Sequence, residues 1–267
     1  MRARCARTGP VTDAELLAIA NEAADAAAAE LMPRFGGHSQ GVRAKSGPTD
    51  LVSDADVAAE TAIRDVLGAR RPQDAILGEE GGSSGSGELR WIVDPLDGTI
   101  NYLFGIPAFA VSVACEDSSG TLAGVVFDPV RDERFTATRS GPAQLNDAPI
   151  QGRTREDLGT ALVATGFNYD AALRARQAEV VGRLLPRVRD IRRVGAAALD
   201  LCWAACGRYD AFYERGIKTW DIAAGALIAR QAGLVVRELA AADGAPPGVF
   251  VAPAGVADEL YGLVAAP

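Results

Sequence analysis

Between Phe109 and Thr138 three short apolar runs, Phe109–Cys115, Leu122–Phe127 and Arg134–Thr138, follow one another with only a few residues between them. Gaps that short leave no room for crossover helices, so the runs are expected to pair as an antiparallel meander. The rest of the chain must pack around that sheet. Upstream, DAELLAIANEAADAAAAEL from Asp13 to Leu31 is Ala-rich with apolar residues at helical spacing, Thr12 or Asp13 as cap and Glu15 adding acidity in the first turn. A second helix is expected from Asp54 to Leu67, capped by Ser53 or Asp54, and the Gly-rich stretch Phe35–Asp50 between the two reads as a loop or irregular hairpin. Ala75–Leu77 and Trp91–Val93 add two strands, so the first half reads as two helices on a sheet.

The second half alternates. Strands are expected near Ala161–Ala164, Asp190–Arg193, Ala211–Tyr213, Leu234–Glu238 and Gly248–Ala252, with helices at Ala171–Leu185, Ala196–Cys206 and Ile222–Ala232 and a short terminal helix at Ala257–Val264. That rhythm implies layered α/β architecture. A boundary is expected between Leu145 and Arg155. The GGSSGSG piece, Gly81–Gly87, is the one low-complexity segment and reads as a mobile surface loop; no internal repeat is visible.

With 48% hydrophobic residues in 267, the chain can bury a sizeable core. Its net charge of -8 argues against a general nucleic-acid or membrane-surface binder, and if the substrate is an anion, positive charge must be supplied locally. Cys5, Cys115, Cys202 and Cys206 make no disulfide framework; Cys202 and Cys206 lie on what reads as a buried helix and are expected to be packing residues. The basic N-terminus has no apolar segment behind it, and no stretch of about 18 apolar residues occurs, so a cytoplasmic protein is expected. The single histidine, His38 in FGGHSQG, leaves no imidazole for Ser-His-Asp or Cys-His chemistry. Acid and base work falls to carboxylates, hydroxyls or activated water.

Three segments place carboxylates at the end of an apolar run: AILGEEGG with Glu79 and Glu80, WIVDPLDGT with Asp94 and Asp97, and KTWDIAAG with Asp221. Layered α/β folds put their sites at such strand ends. Pro95 disfavours a helix, so Asp94 and Asp97 are expected on a turn just after the Trp91–Val93 strand, while Asp221 stands at the N-terminus of its helix. Carboxylates gathered together repel and raise one another's pKa unless cations neutralise them, and an all-oxygen set selects Mg2+, Ca2+ or Mn2+ over zinc. Gly98-Thr99-Ile100-Asn101, directly after Asp97, offers backbone N–H groups to an anion.

These residues resemble the inositol monophosphatase family. WIVDPLDGTINY (Trp91–Tyr102) and WDIAAGALIARQAG (Trp220–Gly233) look like its two signatures, and GEE (Gly78–Glu80), KSGPTDLVSDAD (Lys45–Asp56) and the stretch Arg192–Gly216 match in order and spacing. The resemblance implies an αβαβα five-layer sandwich, an α/β fold, with residues 1–150 as an N-terminal subdomain carrying most metal ligands and 151–267 as a C-terminal subdomain carrying the substrate-selecting residues and Asp221. It implies a phosphomonoesterase that hydrolyses myo-inositol monophosphate by metal-activated water, with two or three Mg2+ per site, commonly as a homodimer. It assigns one metal to Glu79, Asp94 and the Leu96 carbonyl, a second to Asp94, Asp97 and Asp221, and a third near Glu79. Asp50 and Thr99 would orient the attacking water, with Glu80 in support. Phosphate would rest on Gly98 and Thr99, while Glu214, the Ala197 backbone, Asp97 and Asp221 would hold ring hydroxyls.

The departures are Lys218-Thr219 ahead of Trp220 and the Gly/Ser-rich loop after Glu80, positions that bear on cation affinity and lithium sensitivity. Relatives acting on histidinol phosphate, fructose 1,6-bisphosphate or phosphoadenosine phosphate share the metal motifs, and some bacterial members resemble partners of the transcription machinery.

Overall fold

A computed structural model describes residues 11–37, 41–47 and 50–265, and for residues 45–47 and 50 the backbone alone. Cys5, His38 and the side chain of Asp50 lie outside the described part. The first half runs α1 (Asp13–Leu31), β1 (Arg43–Gly47), β2 (Asp50–Val52), α2 (Asp54–Arg70), β3 (Ala75–Gly78), β4 (Gly82–Ser84), β5 (Arg90–Asp97) and α3 (Thr99–Leu103). The meander follows as β6 (Ala110–Asp117), β7 (Gly120–Asp128) and β8 (Glu133–Thr138), then β9 (Gln144–Leu145) and β10 (Ala148–Pro149). The remainder is β11 (Leu162–Thr165), α4 (Ala171–Leu184), β12 (Asp190–Arg192), α5 (Ala197–Ala205), β13 (Ala211–Arg215), α6 (Thr219–Gln231), β14 (Val235–Leu239), β15 (Gly248–Ala252) and α7 (Ala254–Ala265).

Two sheets carry the structure. One has eight strands in the order β10-β9-β8-β7-β6-β5-β3-β4, the other five in the order β12-β11-β13-β15-β14. Three apolar clusters glue five layers together. In the first, Leu16, Leu31, Ile63 and Leu67 of α1 and α2 meet Trp91, Val93, Phe109 and Val113 on one face of the large sheet. In the second, α5 and α6 pack between the sheets, with Leu199, Leu201, Leu227 and Ile228 against Ile92, Val126 and Phe135 on one side and Phe212 and Val251 on the other. In the third, Val180 and Leu184 of α4 and Val256, Leu260 and Val264 of α7 cover the outer face of the small sheet at Val163, Tyr213 and Phe250. Each Leu or Ile so buried contributes on the order of 1.5–3 kcal/mol. The result is the expected αβαβα sandwich.

The helix entries follow local chemistry. Thr12 Oγ1 accepts the Glu15 N–H at 3.2 Å while Glu15 accepts the Thr12 N–H at 3.0 Å, a reciprocal capping box that fixes the start of α1. Ser53 and Asp56 do the same for α2, with the Ser53 N–H 2.8 Å from Asp56 Oδ2. Gly124 in β7 lets α6 lie directly on the large sheet: a Cβ there would stand 2.9 Å from Ala224 Cα.

Three expectations need correction. The Gly81–Gly87 piece is not wholly loop, because Gly82–Ser84 forms β4, antiparallel to β3 with Ile76 opposite Ser84; Arg64 anchors it by donating to the Gly82 carbonyl at 2.6 Å and the Ser84 hydroxyl at 3.0 Å. Asp94 and Asp97 lie not on a turn after a strand but inside β5, which continues past Pro95 with a register break between them. A proline without an N–H is tolerated at such an irregularity. The helix α6 begins at Thr219, three residues earlier than expected, so Asp221 is inside its first turn. The hairpin of β9 and β10 was not anticipated, although its Asn146-Asp147 turn, with φ of 48° and 64°, is legible turn chemistry.

Candidate active site

β3 and β5 run parallel, Gly78 opposite Val93, so both strands end at the same sheet edge. Glu79 leaves the end of β3 with its N–H on the Val93 carbonyl at 3.3 Å, next to Asp94. The break after Asp94 turns Asp97 toward the other half of the molecule. There its carboxylate accepts the N–H groups of Ala197 at 3.1 Å and Ala198 at 2.8 Å, the open first turn of α5, whose own cap residue Ala196 has no acceptor. Asp221, in the first turn of α6, accepts the Lys218 N–H at 2.6 Å. Ser112 of β6 ties the carbonyl of Trp220 at 3.2 Å.

Glu79, Asp94, Asp97 and Asp221 thus face one cavity of 800 Å³, together with Leu96, Gly98, Thr99, Ala197 and Glu214. Burial raises the Asp94 carboxyl well above the usual carboxylate range, and the negative charges of Glu79, Asp97 and Asp221 raise it further. Asp97 is pushed up to about 8 by burial and then by Asp221, against the pull of the Ala198 and Ala197 amides. Glu214, on β13, is pushed up to about 8 by burial and by Asp221, while Arg193 lowers it. Its approach to the β11 end requires Gly166, where a Cβ would lie 2.0 Å from Glu214 Oε2. Among the described residues no three such groups stand close enough, as placed, to share an ion.

Gly98 caps α3 in the left-handed region, φ 92°, and a Cβ there would meet the Ala108 carbonyl at 3.0 Å, so only glycine fits this step out of β5. The Thr99 hydroxyl lies 3.1 Å from both Asp56 Oδ1 and the Leu96 carbonyl, and its one proton serves one of them at a time. Asn101, buried, donates to the carbonyls of Ala108 at 2.8 Å and Val194 at 2.9 Å, joining α3 to the loop before α5.

Of the residues singled out from sequence, Glu79, Asp94, Leu96, Asp97, Gly98, Thr99, Ala197, Glu214 and Asp221 are brought together on the cavity wall. Glu80 is not on it: it sits half-buried in the turn behind Glu79, its N–H on Glu60 at 2.7 Å. Asp50 opens β2, and its side chain is outside the described part. The Ala197 N–H is already taken by Asp97. Sequence reasoning missed Asp56 and Glu60, and it took Asn101 only for its backbone in the anion-facing turn, not for the side chain that joins α3 to the loop before α5. The capping box Ser53-x-x-Asp56 was the available signal for the first, whereas nothing local marked Glu60 or the Asn101 side chain. It also missed the opposite wall, where Arg193 lies over the Phe167 ring at 5.9 Å.

A sequence model described as the inositol monophosphatase family matches residues 12–265. The chain belongs to the inositol monophosphatase family. A Mycobacterium tuberculosis relative named inositol-1-monophosphatase SuhB is 44% identical over 238 residues, 85% of this chain and 82% of that protein. An Escherichia coli relative named Nus factor SuhB is 43% identical over 197 residues, 73% of this chain and 74% of that one. The solved structure of Mycobacterium tuberculosis SuhB superposes with a TM-score of 0.82 at 38% identity, covering 96% of this chain and 97% of that one. This inositol monophosphatase family member therefore shares its layered fold with that solved structure over nearly the whole of both chains. Among its described residues no helix is long and apolar enough to cross a membrane.

Proposed function

We propose that this chain is a Mg2+-dependent phosphomonoesterase acting on myo-inositol monophosphate. The observation that carries the reading is the grouping of Glu79, Asp94, Asp97 and Asp221 on one cavity beside Gly98 and Thr99. Four carboxyl groups on one wall, Asp94 and Asp97 of them buried, are relieved by protons or by cations, and their donor set is all oxygen, which fits Mg2+. Glu79, Asp94, Asp97, Asp221 and the Leu96 carbonyl would hold two or three ions, which supply Lewis acidity toward phosphate and water.

The protein's own groups do the rest. The Gly98 turn presents backbone to the phosphate. Thr99, kept in place by Asp56, and Asp50 orient the attacking water and take its proton, with Glu80 supporting Glu79 from behind. Glu214, its carboxyl pushed up to about 8, can both donate to and accept from ring hydroxyls at neutral pH. The identities with inositol-1-monophosphatases support the substrate. A second reading is regulatory, favoured by the relative named Nus factor SuhB.

Phosphate release from inositol 1-phosphate, histidinol phosphate, fructose 1,6-bisphosphate and phosphoadenosine phosphate, each with Mg2+ and with EDTA, separates these. Mg2+-dependent release, fastest from inositol 1-phosphate, is the expected result. Preference for another substrate keeps the chemistry and changes the substrate, and no release from any of the four favours the regulatory role.

A further inference from the structure

Glu60 stands in the middle of α2 with its side chain almost wholly out of water, the residue only 2% exposed. It faces the turn that joins β3 to β4. Its carboxylate accepts the N–H groups of Glu80 at 2.7 Å and Gly81 at 2.9 Å, and Arg64, one turn further along α2, donates to it at 2.6 Å. The same guanidinium reaches across to the Gly82 carbonyl at 2.6 Å and the Ser84 hydroxyl at 3.0 Å. Two residues of one helix therefore grip the turn on both sides.

The grip is written into the glycines as well. A Cβ on Gly78 would lie 2.3 Å from Glu60 Oε1 and one on Gly81 would lie 2.6 Å from it, so no side chain fits between turn and helix. A buried carboxylate is tolerable only where charge and hydrogen bonds meet it, and here the turn's amides and Arg64 supply both. Glu79 immediately precedes the held amides, with its own N–H on the Val93 carbonyl at 3.3 Å. One turn back along α2, at i−4, Asp56 holds Thr99. A single face of one helix thus touches both the turn that follows Glu79 and the Thr99 hydroxyl.

We propose that Glu60, completed by Arg64, is a positioning residue for Glu79: by holding the Glu80 and Gly81 amides it fixes Glu79 against Asp94 and sets the affinity of the site for divalent cations. The inference rests on the cation-dependent reading above and adds residues that touch neither cation nor substrate.

The test is Mn2+ titration calorimetry on wild type, Glu60→Gln and Asp210→Asn. Asp210 is the matched control, a carboxylate 2% exposed that is held by Arg155 at 2.8 Å and the Leu162 N–H at 2.7 Å, and it does not line the cavity. Both variants lose a buried ion pair, and both are expected to lower the thermal midpoint. Glu60→Gln alone is expected to weaken Mn2+ binding, by about 10-fold, with Asp210→Asn within about 2-fold of wild type. Arg64→Gln, which removes the other half of the grip, should weaken it in the same direction and serves if Glu60→Gln does not fold. Equal Mn2+ affinity in wild type and the Glu60 or Arg64 variants overturns the positioning role alone, as does an equal loss in Asp210→Asn. A wild-type protein that takes up no Mn2+ overturns the cation reading and this inference with it.

Discussion

The Thr99 hydroxyl lies 3.1 Å from Asp56 Oδ1, while the other oxygen of that carboxylate accepts the N–H and the hydroxyl of Ser53 at 2.8 Å and 2.7 Å. One buried side chain therefore closes the entry of α2 and fixes the rotamer of the residue after the Gly98 turn. Asp56→Ala removes both. It should lower stability by about 1–2 kcal/mol through the lost cap and slow phosphate release beyond what the residual folded fraction explains. Urea melts alongside kcat at saturating substrate check this; a normal kcat in the folded protein would reduce Asp56 to a helix cap.

Much of this was legible. The meander, both capping residues, the alternation of the second half and the wall carboxylates Glu79, Asp94, Asp97 and Asp221 follow from period, caps and strand-end acids, whereas Glu214 came from the family resemblance alone and Asp170, also on the wall, was missed. What was not legible is relational. β5 carries Asp94 and Asp97 through Pro95 because β6 continues to pair on the far side of the break, a tertiary fact that no local signal for a turn contains. Likewise Glu60 and Asn101 read as an ordinary helix residue and an ordinary turn residue. Their partners, Gly81 and Val194, lie 21 and 93 positions away. The mid-strand Gly124 gave no hint that it marks where α6 touches the sheet.

Asp200 of α5 is fully buried, and its carboxyl is pushed well up by burial and then by Glu214 and Asp97, with the neighbouring Tyr209 hydroxyl pulling the other way. Glu214 and Asp97, each pushed up to about 8, behave alike. Raised carboxyl pKa values mean that the folded protein holds protons the unfolded chain gives up, so the stabilisation is complete below the unfolded value and is lost as pH rises through the folded one. Thermal midpoints of the cation-free protein should therefore rise as pH falls from about 9 to about 6. Asp200→Asn should flatten part of that slope and raise the midpoint at the alkaline end. A midpoint that falls on acidification over this range would show that these groups are ionised in the fold.

Arg215 follows Glu214 on β13 and is nearly buried, yet it donates only to carbonyls: Ala240 at 2.8 Å, Pro246 at 3.0 Å, Leu239 at 3.4 Å and Ala265 at 2.6 Å. It pins the 239–246 segment and the end of α7 to the strand that carries Glu214. Arg215→Met leaves those acceptors without a donor and should lower stability by about 3 kcal/mol. Arg215→Lys should recover only part of that, since one ammonium cannot reach all four carbonyls at once. Guanidinium melts of the two variants measure the difference, and equal midpoints would mean that charge rather than reach is what the site uses.

A Cβ at Gly124 would fall 2.9 Å from the Cα and 3.1 Å from the Cβ of Ala224, on the helix that presents Asp221. Gly124→Val must push α6 off the sheet. A destabilisation of about 1–3 kcal/mol is expected from overpacking, together with weaker Mg2+ dependence of activity as Asp221 moves. An unchanged melting curve would mean that the helix yields without strain.

The carboxylate wall is tested most directly at Asp94, the residue that Glu79, Asp97 and Asp221 all bear upon. The measurement is the rate of phosphate release from inositol 1-phosphate by Asp94→Asn and wild type at saturating Mg2+, with circular dichroism melts of the two proteins in their cation-free form. A loss of more than about 100-fold in a variant that melts at or above the wild-type temperature is predicted, because a buried, repelled acid has been replaced by a neutral amide. Release within a few-fold of wild type would put the chemistry somewhere other than this cavity.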